Sequence, residues 1–144
     1  MSLEQQVQRL VDIDAIKALK ARYFRCIDMK LWDELGEVFD ADVVAEYSGP
    51  GPRIAGRAAV VEFIRSAVHA VRTVHHGHMP EIEVAGDTAR GIWAMFDMVE
   101  RADGSGAVMR GYGHYHEDYV RTAVGWKIRT LRLTRLRVDR RVPP

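Results

Sequence analysis

One cysteine, Cys26, stands in 144 residues, so the chain cannot close an internal disulfide. That suits a reducing compartment, and Cys26 falls among the apolar positions of an expected helix, where it reads as a small core residue rather than a nucleophile. Long apolar runs are missing as well. Met1–Val11 carries Glu4 and Gln5, which argues against both a signal peptide and a membrane span, and a soluble, cytoplasmic protein with no membrane partner is expected. Charge of one sign is scarce: a formal net charge of +1 supplies no overall field for nucleic acid or an anionic surface. Basic residues do gather in Lys127–Arg141, a cluster better read as a solvated strand face than as an anion site. Nucleotide loops of the G-x-x-x-x-G-K-S/T or G-x-G-x-x-G kind are absent. So is a G-x-S-x-G serine elbow, since Asp103-Gly-Ser-Gly106 falls in a hairpin turn.

What is present is an ordinary globular mixture, long enough for one domain (1–144) with its own core. Ile16, Leu19, Tyr23 and Cys26/Ile27 recur at helical spacing. Asp12 or Asp14 is the expected cap of that helix, with Leu3–Leu10 a shorter helix before it. A second helix is expected around Leu31/Trp32, Leu35 and Val38/Phe39, and a strand over Val43–Tyr47 that Ser48-Gly-Pro-Gly-Pro52 breaks. Gly56 precedes a third helix carrying Val60, Ile64, Ala67/Val68 and Val71. After Thr73 the pattern turns to long strands divided at Gly86-Asp87, Asp103-Gly104 and Gly125, with Asp139–Pro144 expected to fray. Helices first and hairpins second give an α+β class: three helices packed in a strongly curved, mainly antiparallel sheet. Gly91, Gly111 and Gly113 offer places for that sheet to bulge, and its concave side is where a small ligand would sit.

Several polar residues break the apolar pattern. Asp97 interrupts a strand that is apolar on both faces and therefore needs a partner; Arg132 or Arg135 could supply it, or could bind an anionic group of a ligand. His114 shares a strand face with Tyr112, His116 and Asp118, a row fit for a wet pocket or for solvent. His75 and His76 are neighbours on a strand, so only one can enter a given pocket. His75-His76-Gly-His78 and His114-Tyr-His116 also contain same-face pairs of a kind that binds zinc or iron. Such pairs suit a cupin barrel, which the helical first half argues against, so neither a metal nor another cofactor is expected.

Three local signatures carry a resemblance. They are Tyr23-Phe-Arg-Cys-Ile-Asp28 followed by Lys30-Leu-Trp-Asp-Glu-Leu35, then Thr73-Val-His75-His76-Gly77, and Gly111-Tyr-Gly-His114-Tyr with Gly125-Trp-Lys-Ile128. Together with the order of elements they resemble the SnoaL-like branch of the nuclear-transport-factor-2-like cone fold, most of all its scytalone-dehydratase and bile-acid-dehydratase types. The resemblance implies a cofactor-independent lyase or isomerase acting on a small hydrophobic cyclic or polyketide-like molecule. It implies His75 as the base, Asp28 as its carboxylate partner, and Tyr23 and His114 as further catalytic groups. Tyr47, His76, Trp93 and Arg132 are the expected substrate contacts. A homodimer or homotrimer is implied as well. The alternative is a non-catalytic ligand-binding or oligomerisation module of the same fold, because one fold hosts many functions.

Overall fold

The computed structural model describes residues 1–47 and 51–140. Its first element, α1 (Leu3–Asp28), is one continuous helix rather than two. Its start is a capping box: the Ser2 hydroxyl accepts from the Gln5 backbone N–H at 3.1 Å and the Gln5 side chain accepts from the Ser2 N–H at 2.8 Å. Neither Asp12 nor Asp14, the expected caps, starts the helix, and Asp12 is instead drawn inward. Both of its oxygens accept from Arg121 at 2.8 Å, and the Trp126 indole N–H adds a third bond at 3.2 Å. With neither Gly nor Pro between Leu3 and Asp28, nothing interrupts the helix. Its first half leaves Leu3, Val7, Leu10 and Val11 exposed. Its second half buries Ile16, Leu19, Tyr23, Cys26 and Ile27, each such apolar side chain contributing roughly 1.5–3 kcal/mol.

A left-handed residue, Lys30 (φ 61°), turns the chain out of α1 into the short α2 (Trp32–Glu37). Next come β1 (Phe39–Tyr47), β2 (Arg53–Ala55) and α3 (Arg57–Val68), then four long strands. These are β3 (Val71–Ala85), β4 (Thr88–Arg101), β5 (Ala107–Thr122) and β6 (Gly125–Arg140). Phe39 and Val71, expected at helix ends, belong to strands, and Asp139 and Arg140 are strand rather than frayed end. Of the expected break, Ser48, Gly49 and Pro50 lie outside the described residues, as do positions 141–144.

The strands form one open, curved sheet in the order β2-β1-β6-β5-β4-β3. All neighbouring pairs are antiparallel except β1 with β6, which run parallel. Helices cover the inner face, which carries Gly91, Trp93, Met95 and Asp97 of β4 and Gly111, Gly113, Tyr115, Glu117 and Tyr119 of β5, all buried. Residues alternating with them point outward. Ile92 and Ala94 are exposed and Phe96 and Met98 half-buried, so β4 is covered on one face only and not on both.

On β6 the register shifts opposite Asp118/Tyr119, where Asp118 faces Thr130 and Tyr119 faces Ile128, leaving Arg129 unpaired. That extra residue reverses the alternation. Trp126 and Ile128 point inward before it, and Leu131, Leu133 and Arg135 after it.

Candidate active site

The curved sheet, α1 and α3 enclose a cavity of about 360 Å³. Ile27 of α1, Ile64 and Val68 of α3, and Val99, Met109 and Leu133 of the sheet give it apolar walls. Into these walls are set Tyr23, Tyr47, His75, Tyr115 and the Asp97–Arg135 pair. Pockets of this build, mostly apolar with a few converging polar groups, suit small organic ligands.

His75 reaches the cavity from β3 with its side chain 10% exposed. Asp28, the last residue of α1, stands behind it. One carboxylate oxygen lies 2.7 Å from His75 Nδ1 and the other accepts the His75 backbone N–H at 2.9 Å. The first oxygen also accepts the Thr73 hydroxyl at 3.0 Å, and Lys30 donates to that hydroxyl at 3.1 Å. In a neutral imidazole a carboxylate at Nδ1 favours the tautomer with the proton there and the lone pair on Nε2, the form a general base needs. Phe24 lies nearly parallel to the imidazole, with an interplanar angle of 14°. It fits because residue 77 is glycine: a Cβ there would come within 2.6 Å of the Phe24 ring.

Tyr23 and Tyr47 meet hydroxyl to hydroxyl at 2.9 Å, and Tyr47 is stacked on Phe63. Burial pushes both phenols well above their ordinary range, so they stay neutral and able to donate. Positions five apart diverge by roughly 140° on a helix. Asp28 and Tyr23 therefore do not share one wall: Tyr23 lines the cavity, while Asp28 acts on it through His75.

Arg135 makes a two-pronged ion pair with Asp97 at 2.6 and 2.8 Å. Burial works against the Arg135 charge and Asp97 more than restores it, so the guanidinium is held above its usual range. Gly111 makes the room, because a methyl group there would overlap both partners.

Four expected site residues fall elsewhere. His114 projects from the outer face of β5, its ring 6.3 Å from that of His116, because Tyr115 and Glu117 take the inward positions. His76 is exposed on the outer face of β3 beside Phe96, since His75 takes the inner one. Arg132 lies outside too, in a groove of about 420 Å³ shared with Arg90, His116 and Asp118. Had Trp126 and Ile128 set the alternation to the end of β6, Arg132 would face inward; the bulge gives that place to Arg135. Trp93 is buried on the inner face but away from the cavity, donating its indole N–H to the Tyr119 hydroxyl at 2.9 Å. The histidine pairs weighed as metal ligands, His76/His78 and His114/His116, both lie on the outer face. Among the described residues no three His, Cys, Asp or Glu side chains converge as a metal-binding group. Nor, among them, is any helix long and apolar enough to cross a membrane.

Similar proteins match this chain along most of its length. A Gibberella zeae protein named Probable cyclase FGR4 is 24% identical over 133 residues, covering 84% of this chain and 89% of its own. A scytalone dehydratase-like protein of Novosphingobium aromaticivorans superposes with a TM-score of 0.86 at 21% identity, over 96% of this chain and 93% of its own. The hexachlorocyclohexane dehydrochlorinase LinA type 2 gives 0.83 at 18%, over 95% and 93%. These likenesses establish the cone fold of the nuclear-transport-factor-2-like proteins. The model of the SnoaL-like domain matches residues 8–132, and the chain accordingly belongs to the SnoaL-like family.

Proposed function

We propose that the protein is a lyase or isomerase that moves protons on a small hydrophobic cyclic or polyketide-like molecule, with His75 as general base and no cofactor required. The observation that carries this reading is the 2.7 Å contact between Asp28 and Nδ1 of an imidazole at the wall of an apolar cavity. His75 Nε2 takes a proton from a carbon beside a carbonyl or leaving group, and Asp28 stabilises the imidazolium that forms. The electron pair left by the C–H bond moves into a new double bond. Charge then builds on an oxygen, as an enolate or as a departing hydroxyl, where the paired Tyr23 and Tyr47 hydroxyls donate. Arg135, kept charged by Asp97, lies on the same cavity and favours an electron-rich substrate group. His114, Arg132 and His76 have no part in this scheme.

Nitrobenzisoxazole tests the reading whatever the natural substrate is. A base removes its ring C–H proton, the N–O bond breaks, and the electrons finish on a coloured phenolate. The wild-type protein should open the ring in a saturable way, faster than buffer or the heat-unfolded chain. Binding without acceleration would favour a ligand-binding module of the same fold instead.

The outer sheet face leads to a second expectation, self-association. Ile92 and Tyr112 stand 39% and 37% exposed beside half-buried Phe96 and Met98, an apolar surface that a second copy of the chain would cover in a homodimer or homotrimer. Sedimentation should give a dimer or trimer that Tyr112→Lys converts to monomer. A wild-type monomer would refute the expectation.

A further inference from the structure

Directly behind the cavity lies an ion pair that the proton-transfer scheme leaves unused. Lys20 of α1 and Glu117 of β5 bond to each other with no side-chain exposure at either end. Burying two charges costs several kcal/mol per ion, and well-packed apolar residues often do as well or better, so such a pair is weak grounds for stability. Its surroundings are specific. The Lys20 ammonium lies 3.6 Å from the centroid of the Tyr115 ring, 3.8 Å from that of Tyr23 and 4.9 Å from that of Phe24. The second Glu117 oxygen accepts the Tyr119 hydroxyl at 2.7 Å, and that hydroxyl in turn accepts the Trp93 indole N–H.

The pair is therefore oriented. Tyr23 and Tyr115, which flank its positive end, both line the cavity, whereas Glu117, Tyr119 and Trp93 at its negative end do not. A cation against a phenol ring is attracted by the ring face and draws electron density from it, which makes the phenol O–H a better donor. The Tyr23 hydroxyl is one half of the Tyr23–Tyr47 couple.

We propose that Lys20, held in place by Glu117, is a positioning residue that acts through Tyr23, locking its ring and strengthening its hydroxyl as a donor to an anionic oxygen bound in the cavity. This rests on the reading of Tyr23 and Tyr47 as the oxygen-binding corner. It adds a preference: the favoured ligand carries an enolate- or phenolate-type oxygen rather than a neutral hydroxyl.

Burial pushes Lys20 down to about 8, and Glu117 only partly offsets this. The groups facing the ammonium are Tyr23 on its own helix and Tyr115 and Glu117 on β5. Beyond them lie Tyr119 on β5, Tyr47 on β1 and the Asp97–Arg135 pair of β4 and β6. Burial pushes the four phenols upward, so Lys20 is the group among them that loses its proton just above neutral pH.

The probe is para-nitrophenol, whose visible spectrum distinguishes bound phenolate from bound phenol. Wild-type protein should bind the phenolate in preference to the phenol near neutral pH, and that preference should weaken as the pH rises through about 8. This arm needs no variant, so a folding defect cannot obscure it. The double variant Lys20→Met/Glu117→Gln keeps an acceptor for Tyr119 and leaves no unpaired charge. It should retain the fold and lose about tenfold in the phenolate preference, as expected when an ion pair with its positive end nearer the cavity is removed across a few ångströms of protein. In a Tyr23→Phe background the same pair of changes should have little further effect. A preference independent of pH, an unchanged preference in the folded double variant, or an undiminished effect without the Tyr23 hydroxyl would each overturn the inference. Failure of the wild type to bind either form would instead overturn the reading of the cavity itself.

Discussion

His75→Ala should slow ring opening of nitrobenzisoxazole by about a thousandfold, within the range general bases ordinarily contribute, while the melting temperature scarcely moves. The asymmetry follows from where the hydrogen bonds of Asp28 end. Of its three close partners at the site, only Nδ1 belongs to the imidazole. The Thr73 hydroxyl and the backbone N–H of position 75 remain after the ring is removed. The carboxylate is thus not stranded, and the lost ring leaves a space that opens onto an existing cavity rather than a sealed void. Added imidazole should enter that space and restore part of the rate. Turnover undiminished in the variant would mean that the proton goes elsewhere. Collapse of the fold would mean that the ring is needed chiefly to hold α1 against β3.

Glu117→Ala should do the opposite, costing about 3–5 kcal/mol of stability because it leaves the Lys20 charge buried without a counter-ion. Natural domains hold roughly 5–15 kcal/mol in all, so the urea midpoint should fall by about a fifth or more. Tyr119 loses its acceptor at the same time, and its hydroxyl and the Trp93 indole are left with one another alone. Lys20→Met/Glu117→Gln should recover most of the loss, since it removes the charge together with its partner. If the single variant melted like the wild type, Lys20 would have to be uncharged in the folded protein, and the electrostatic role given to it would fail.

Periodicity carried the helical first half, the hairpin sites and the open concave sheet, because each rests on local alternation or on turn residues. It could not register β2 or the parallel neighbour of β1. Arg53–Ala55 is too short to show a period, and β1 meets β6 only through contacts between residues more than 80 positions apart. At the site, His75, Asp28, Tyr23 and Tyr47 were legible through the family motif, and the structure brings the four together at or behind one cavity. Arg132 and Arg135 were both candidate partners for Asp97, and what selects Arg135 is one unpaired residue, Arg129, whose bulge no alternation pattern announces. Lys20 and Glu117 were missed altogether. A charged residue on a helix and another in a polar strand row each look solvated until the fold sets them face to face. The usable signal was Tyr115 and Tyr119 flanking Glu117 on one strand face, which marks that face as interior.

The parallel register of β1 on β6 has a consequence for how the chain acquires its shape. Phe39 and Val44–Tyr47 find their partners in Ile128 and Thr130–Leu133, more than half the length of the chain away. Pairings so distant in sequence are slow to form, because most of the loop entropy is lost before they repay it. During synthesis β1 has only the three-residue β2 beside it until β6 leaves the ribosome, so a strand made after all the others described completes the middle of the sheet rather than its edge.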